Sequence, residues 1–201
     1  AKGMNINMIK IGILTGSTRD SRVNLQVAEW VKSIADKRTD AEFELVDIKD
    51  YNLPKFNEPI PAIMSQEYQA PEAHAWSEKI SSLDGFIFVT PEYNKAITSG
   101  LKDAIDYLYV EWNHKAAGIV SYGSTLGVTA ANDLRLILTV PKVATVGPSV
   151  AMSLFTDFQD MSRFNPAPFH EDSLHKTIDD VVAWSTALKG IRQKDSELQT
   201  V

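Results

Sequence analysis

Three short segments carry the residue types from which a binding site can be built. The first is Gly16-Ser17-Thr18-Arg19-Asp20-Ser21-Arg22-Val23-Asn24, which follows an apolar run and precedes a helical pattern. Free N–H groups at a helix start, together with the helix dipole, favour an anion. Ser17 and Thr18 add hydroxyls, while Arg19 and Arg22 add charge and planar donor forks, with Asn24 as a further helper. The set suits one phosphate monoester. The alternative is an N-cap flanked by two solvated arginines. The second segment is Thr90-Pro91-Glu92-Tyr93-Asn94. Pro91 fixes φ, Tyr93 offers an aromatic face, and Asn94 offers a paired donor and acceptor. Backbone N–H groups here can meet the carbonyls of a flat heterocycle; the alternative is an ordinary turn whose tyrosine packs on the next helix. Glu92 reads as solvated or paired with a neighbour rather than as a base. The third segment, Ser121-Tyr122-Gly123-Ser124-Thr125-Leu126-Gly127, lets backbone come close to a ligand or is simply a flexible connection.

Absent motifs narrow the chemistry. No two glycines are separated by a single residue, so the dinucleotide fingerprint G-x-G-x-x-G is missing, as is a P-loop. A mononucleotide phosphate remains. The four histidines show no H-x-x-x-H spacing and there are no cysteines, so no metal site is expected. Gly147-Pro148-Ser149-Val150-Ala151 comes near the G-x-S-x-G nucleophile elbow, with Ala in place of the last Gly. A hydrolase built on Ser149 is therefore a competing reading.

The elements that must position these segments alternate strand and helix. Met8–Leu14, Glu42–Ile48, Gly85–Thr90, Ala116–Val120 and Lys142–Val146 read as strands. Helical spacing predicts helices over Val23–Lys37, Glu72–Ser82, Ser99–Val110, Thr125–Leu138 and Ser173–Lys189, the last burying Leu174, Ile178, Val181, Val182, Trp184 and Leu188. Five strands separated by helices predict an α/β doubly wound parallel sheet. In such sheets a ligand lies outside the carboxyl ends of the strands, where all three segments fall. Residues 155–172 are aromatic-rich and irregular, either a lid or partner contact or a surface loop packed by its own phenylalanines.

With 201 residues the chain is expected to form a single domain, with Ala1–Gly3 set aside as a cloning remnant and residues 191–201 as a disordered tail. A net charge of -6 argues against nucleic acid as a partner. The longest uncharged stretch, 116–132, is broken by hydroxyl residues and glycines, so no membrane span is expected. A cytoplasmic location is the default expectation.

One anion cradle, one ring-facing turn and one small-residue loop together describe a flavin mononucleotide site. At this point the sequence resembles a known family. Gly16-Ser17-Thr18-Arg19, Thr90-Pro91-Glu92-Tyr93-Asn94, Gly100-Leu101-Lys102, Ile105-Asp106-Tyr107-Leu108, Glu111-Trp112, Lys115 and Val120-Ser121-Tyr122-Gly123 occur in the order seen in NAD(P)H-dependent FMN reductases. The resemblance implies a flavodoxin-like five-stranded parallel sheet of order 2-1-3-4-5 with helices on both faces. It implies non-covalent FMN, reduced by NADPH or NADH, and transfer of two electrons to small-molecule acceptors such as quinones, azo compounds or free flavin.

Residue by residue, it implies that Ser17, Thr18 and Arg19 hold the phosphate, aided by Arg22 and Asn24. Pro91, Glu92, Tyr93 and Asn94 would line the ring, and Ser121, Gly123 and Ser124 its pyrimidine side. No side chain need act as a catalyst, because hydride chemistry belongs to the cofactor. Backbone N–H groups around Gly123 and Ser124, at a helix start, would stabilise charge on the ring. A homodimer or homotetramer is implied, with Trp112 and the helix before it on the dimer surface. An FMN-binding electron carrier without nicotinamide-dependent turnover is the competing flavoprotein reading.

Overall fold

The computed structural model describes residues 8–198. Ala1–Gly3 and residues 199–201 lie outside them. Five strands, β1 (Lys10–Thr15), β2 (Glu42–Val46), β3 (Gly85–Pro91), β4 (Lys115–Gly123) and β5 (Val143–Ser153), form one parallel sheet. Its order is β2-β1-β3-β4-β5, as expected. The centre of the sheet is β3, whose GFIFVTP run is buried along its whole length. That continuous apolar run is what burial on both faces requires.

Helices cover both faces, each over its own core. Alternation along β3 divides them: Phe86 and Phe88 face one side, Ile87 and Val89 the other. On the first side lie α2 (Pro71–Ser81), α3 (Ser99–Asp106) and α4 (Val128–Ile137). Trp76 and Trp112 are fully buried there, and their indole N–H groups donate to Ala104 O (2.7 Å) and Ile105 O (3.1 Å). These bonds satisfy carbonyls near the end of α3 that the helix itself leaves unpaired. Trp112 is thus a core residue, and the expectation that it forms a dimer surface does not hold for its side chain.

On the second side lie α1 (Asn24–Ala35) and α5 (His170–Leu198). The sequence pattern predicts an end at Lys189, but α5 runs on through residues expected to be a disordered tail. Arg192 is one reason: its guanidinium donates to Asp84 Oδ1 (2.6 Å) and His114 O (2.7 Å), pinning the last turns to the sheet. The buried stripe also differs from the expected one. Thr177 and Ser185 pass over Gly118 and Gly85, where a Cβ would collide with them. The small residues therefore face the sheet, and Trp184 is 43% exposed.

Strand β5 is longer than expected and contains a bulge. Ala117 pairs with Thr145, but Ile119 pairs with Ser149, so Val146-Gly147-Pro148 bows out. Proline is tolerated there because β5 is an edge strand. Ser149 therefore sits within a strand rather than at the strand-to-helix turn a nucleophile elbow demands, which removes the hydrolase reading. After β5 the chain makes a small hairpin, β6 (Phe158–Gln159) with β7 (Arg163–Phe164), inside the stretch expected to be irregular.

Candidate functional site

The first segment approaches the sheet so closely that only glycine fits at position 16; a Cβ there would overlap Val89 O. Asn24 locks this approach. Its Oδ1 accepts from Gly16 N (2.9 Å) and its Nδ2 donates to Val89 O (3.0 Å). Thr98, the N-cap of α3, accepts from Leu101 N and donates to Gly16 O (2.6 Å). Arg22 completes the support from below, donating to Ser17 O (2.6 Å) and making a bidentate pair with Asp47 (2.7 and 2.6 Å). Both side chains of that pair are nearly buried, at 8% and 11% exposure. Burial alone would raise the Asp47 carboxyl, but hydrogen bonds from Arg22, Thr15 and the Lys49 N–H outweigh it and hold the pKa below the usual carboxylate range. Arg22 and Asn24 therefore shape the loop: Nη1 and Nη2 of Arg22 and the Asn24 amide are engaged by protein atoms, while Arg22 also lines the cleft.

What the loop leaves free is its upper side. Ser17 is 1% exposed, and its Oγ finds no hydrogen-bond partner among the described residues. A buried hydroxyl left unpaired is unfavourable unless a ligand completes it. Beside it, Arg19 meets no carboxylate among the described residues; it donates to Tyr93 Oη (3.1 Å) and Ser21 Oγ (3.2 Å) and lies 5.9 Å from the Tyr93 ring centroid. Helix α1 starts here without a side-chain cap or an acidic residue in its first turn. An orphaned hydroxyl, a cation without a counter-ion and an uncapped helix start converge on one place, and that is the chemistry a phosphate monoester needs. Thr18 points elsewhere, its side chain packing over Gly100 at the start of α3.

The second and third segments close the cleft, which is about 200 Å³ and is lined by Ser17, Arg19, Pro91, Glu92, Tyr93, Tyr122 and Gly123 among others. Asn94 (φ 50°) and Lys95 (φ 72°) are both left-handed, and Tyr93 and Ala96 exchange backbone hydrogen bonds of 2.9 and 3.0 Å. This is a type I′ turn. It aims Tyr93 at the cleft and leaves Asn94 exposed at the tip, outside the cleft lining. Strand β4 extends to Gly123, three residues past its expected end, so Ser121 and Tyr122 are strand residues. Ser121 Oγ donates to Leu126 O (2.9 Å) and is spent on the turn. Ser124 is exposed.

The start of α4 differs from the expectation in a way that matters. The chain turns through Leu126 (φ 65°) and Gly127 (φ 67°), and the helix begins at Val128 rather than Thr125. Gly127 has no side chain to cap it. Glu92 does so from the neighbouring loop, accepting from Ala130 N (3.0 Å) and Thr125 Oγ1 (3.4 Å). The positive end of α4 is thus answered by a carboxylate, and the field near Gly123 and Ser124 is weaker than an open helix start would give. Glu92 is a bracket between two loops.

Tyr122, Ser21, Val23, Leu154 and Met161 also line the cleft and were not foreseen as site residues. Burial pushes the Tyr122 phenol above its usual range, against a hydrogen bond with Asn24. Its place in the strand alternation with Val120 was the available signal, since both side chains face the α1 side. Met161 arrives from the hairpin, within the 155–172 stretch for which a lid or partner contact is one of the two expectations.

A parallel sheet of this order, with helices on both faces and a cleft at the carboxyl ends of its central strands, defines a flavodoxin-like α/β protein. Comparison with known proteins gives the family. The family model for NADPH-dependent FMN reductase matches residues 9–157. An NAD(P)H-dependent FMN reductase of Nectria sp is 37% identical over 172 residues, spanning 83% of this chain and 86% of that one. An NAD(P)H:quinone oxidoreductase of Solanum tuberosum is 36% identical over 124 residues, 60% of this chain and 61% of that one. Among solved structures, the flavoenzyme NAD(P)H:(acceptor) oxidoreductase of Paracoccus denitrificans superposes with a TM-score of 0.66 at 18% identity, covering 88% of this chain and 97% of that one. The chain belongs to the NADPH-dependent FMN reductase family and is an oxidoreductase.

Proposed function

We propose that the chain binds FMN in the cleft, takes reducing equivalents from NADPH or NADH, and delivers two electrons to a small acceptor, a quinone before azo compounds or free flavin. The observation that carries this reading is the unpaired Ser17 Oγ beside Arg19 at the uncapped start of α1. Bound FMN supplies hydride acceptance and donation. The chain's own residues bind and orient. Ser17 and Arg19 hold the phosphate, supported from beneath by Arg22 and Asn24. Pro91, Tyr93, Tyr122 and Gly123 bound the ring's place, with Glu92 fixing the distance between their loops. Thr18, Asn94, Ser121 and Ser124 are left with structural or peripheral roles. No side chain in the cleft is placed as a nucleophile or general acid. One open cleft serves donor and acceptor in turn, so steady-state kinetics are ping-pong.

The quinone preference draws on the printed activity of the potato relative. The chain works as a homodimer or homotetramer in the cytoplasm. For assembly the supporting feature is an apolar groove lined by Ile63, Ile105, Leu108, Leu136 and Val140, of which Ile63, Leu136 and Val140 are exposed. No helix among the described residues is long and apolar enough to cross a membrane. Anaerobic mixing of the FMN-loaded protein with each pyridine nucleotide tests the function. Bleaching of the flavin band, followed by recovery on adding a quinone, is expected. Stable FMN binding without bleaching by either nucleotide would instead make the chain an electron carrier.

A further inference from the structure

The cleft has a wall that the three loops do not supply. Leu154, whose N–H donates to Gly123 O (3.1 Å), and Met161 line it from the segment after β5, together with Ser17, Arg19, Tyr93 and Tyr122. Met161 sits at the tip of the β6–β7 hairpin. Asp160 (φ 52°) and Met161 (φ 53°) are the central residues of the turn in its three-residue loop, closed by Ser162 N to Gln159 O (3.1 Å). Strands this short do not hold together alone.

Three attachments seat the hairpin. Gln26 on α1 treats it as a neighbouring strand would, donating to Ser162 O (2.9 Å) and accepting from Phe164 N (2.9 Å). Phe164 packs on Trp30 (5.6 Å between centroids) and Phe158 (5.1 Å), and Phe158 packs on Tyr122 (5.5 Å). Buried Asp157 accepts from Ser153 N (2.8 Å) and Ala167 N (2.9 Å) and pairs with His170 Nε2 (3.0 Å), tying the segment to β5 and α5. At the tip of this rigid support Met161 is 58% exposed. A large apolar side chain is held in water at a cleft that Tyr93 and Tyr122 also line.

We propose that Met161, with Leu154, is a cofactor contact: the hairpin presents an apolar wall to the uncharged part of bound FMN. The proposal rests on the FMN reading above and deepens it. A thioether suits the task because it is polarizable and adapts to an aromatic surface. The hairpin lies beyond residue 157, where the match to the family model ends, whereas Leu154 lies within it.

The test compares FMN with riboflavin, which shares the ring and ribityl chain but lacks the phosphate. Apoprotein is titrated with each and the quenching of flavin fluorescence is followed. Met161→Ala is expected to raise both dissociation constants by the same factor, about two- to tenfold. Gln26→Leu, at a position that does not line the cleft, unseats the hairpin and is expected to raise both in parallel. Arg19→Ala raises the FMN constant alone. Unchanged affinity for both flavins in Met161→Ala overturns the proposal, and so does a loss confined to FMN. Wild-type protein that binds neither flavin overturns the cofactor reading itself, a result visible before any variant is made.

Discussion

Replacing Arg22 separates a support role from a ligand role. In the structure its guanidinium is paired with Asp47 at 2.6 and 2.7 Å, with both side chains nearly buried. Breaking such a pair from one side leaves a buried charge and typically costs about 3–5 kcal/mol. Asp47 keeps two other donors, Thr15 Oγ1 (2.9 Å) and Lys49 N (3.1 Å), which points to the lower end, about 3 kcal/mol for Arg22→Met. In urea that is a midpoint shift of about 1 M for a chain of this size, and in heating a fall of about 6–12 °C. The assay is equilibrium unfolding of apoprotein, so cofactor binding does not enter. Asp47→Leu added to Arg22→Met should recover most of the loss, because the stranded charge is gone. The pH dependence has a sign as well. The Asp47 carboxyl is held below its unfolded value of 3.8, so its contribution is present above that value and is lost as pH falls through the folded pKa. The gap between wild type and Arg22→Met should therefore narrow below about pH 4. An unfolding midpoint unchanged within about 0.2 M, a fifth of the expected shift, with a collapse of FMN affinity instead, would refute the support role and restore Arg22 as a phosphate ligand.

Three further outcomes are expected. Lys115 is buried against Phe86 with its Nζ on Ile80 O (2.7 Å), and burial pushes its pKa down to about 7. The unfolded chain holds that proton up to about 10.5, so stability should rise between pH 7 and 10 by on the order of a few kcal/mol, and denaturation of Lys115→Met should lose this slope. Gly16→Ala places a methyl against Val89 O and should lower the thermal midpoint while abolishing flavin uptake, read by melting and by absorbance of the purified protein. Glu92→Ala uncaps α4 and should cost about 1 kcal/mol, whereas Glu92→Gln, which keeps an acceptor for Ala130 N, should lose less than half of that in urea unfolding.

The parts of the fold that could be read from sequence are those decided by local pattern. A six-residue apolar run such as GFIFVT, opened by Gly85, followed by Pro91 and rich in aromatic and β-branched residues, reads as a strand buried on both faces, and its neighbours in order and spacing dictate the crossovers. The three loops were legible because glycine, proline and hydroxyl residues at strand ends leave few other conformations. What escaped was decided by partners distant in sequence. Arg22 looked like a ligand until Asp47, 25 residues on, claimed it. Asn24 looked like a phosphate helper, yet its amide is spent on Gly16 and Val89. The tail beyond Lys189 lacks an apolar stripe but becomes helix because Arg192 reaches Asp84, 108 residues away. The hairpin that brings Met161 to the cleft depends on Gln26, 136 residues before Ser162. The start of α4 moved because consecutive left-handed residues at 126 and 127 delay the helix, and only one of them is a glycine.

The account stands on the loop after β1 being a phosphate cradle, and the most direct measurement is the ratio of riboflavin to FMN dissociation constants by calorimetry, in wild type and in Ser17→Ala/Arg19→Ala. A lost charge-assisted contact is worth about 1.5–3 kcal/mol, so wild type should favour FMN by about ten- to a hundredfold and the double variant should bring the ratio close to one. A wild-type ratio already near one, or a double variant that keeps the full preference, would contradict the assignment of Ser17 and Arg19.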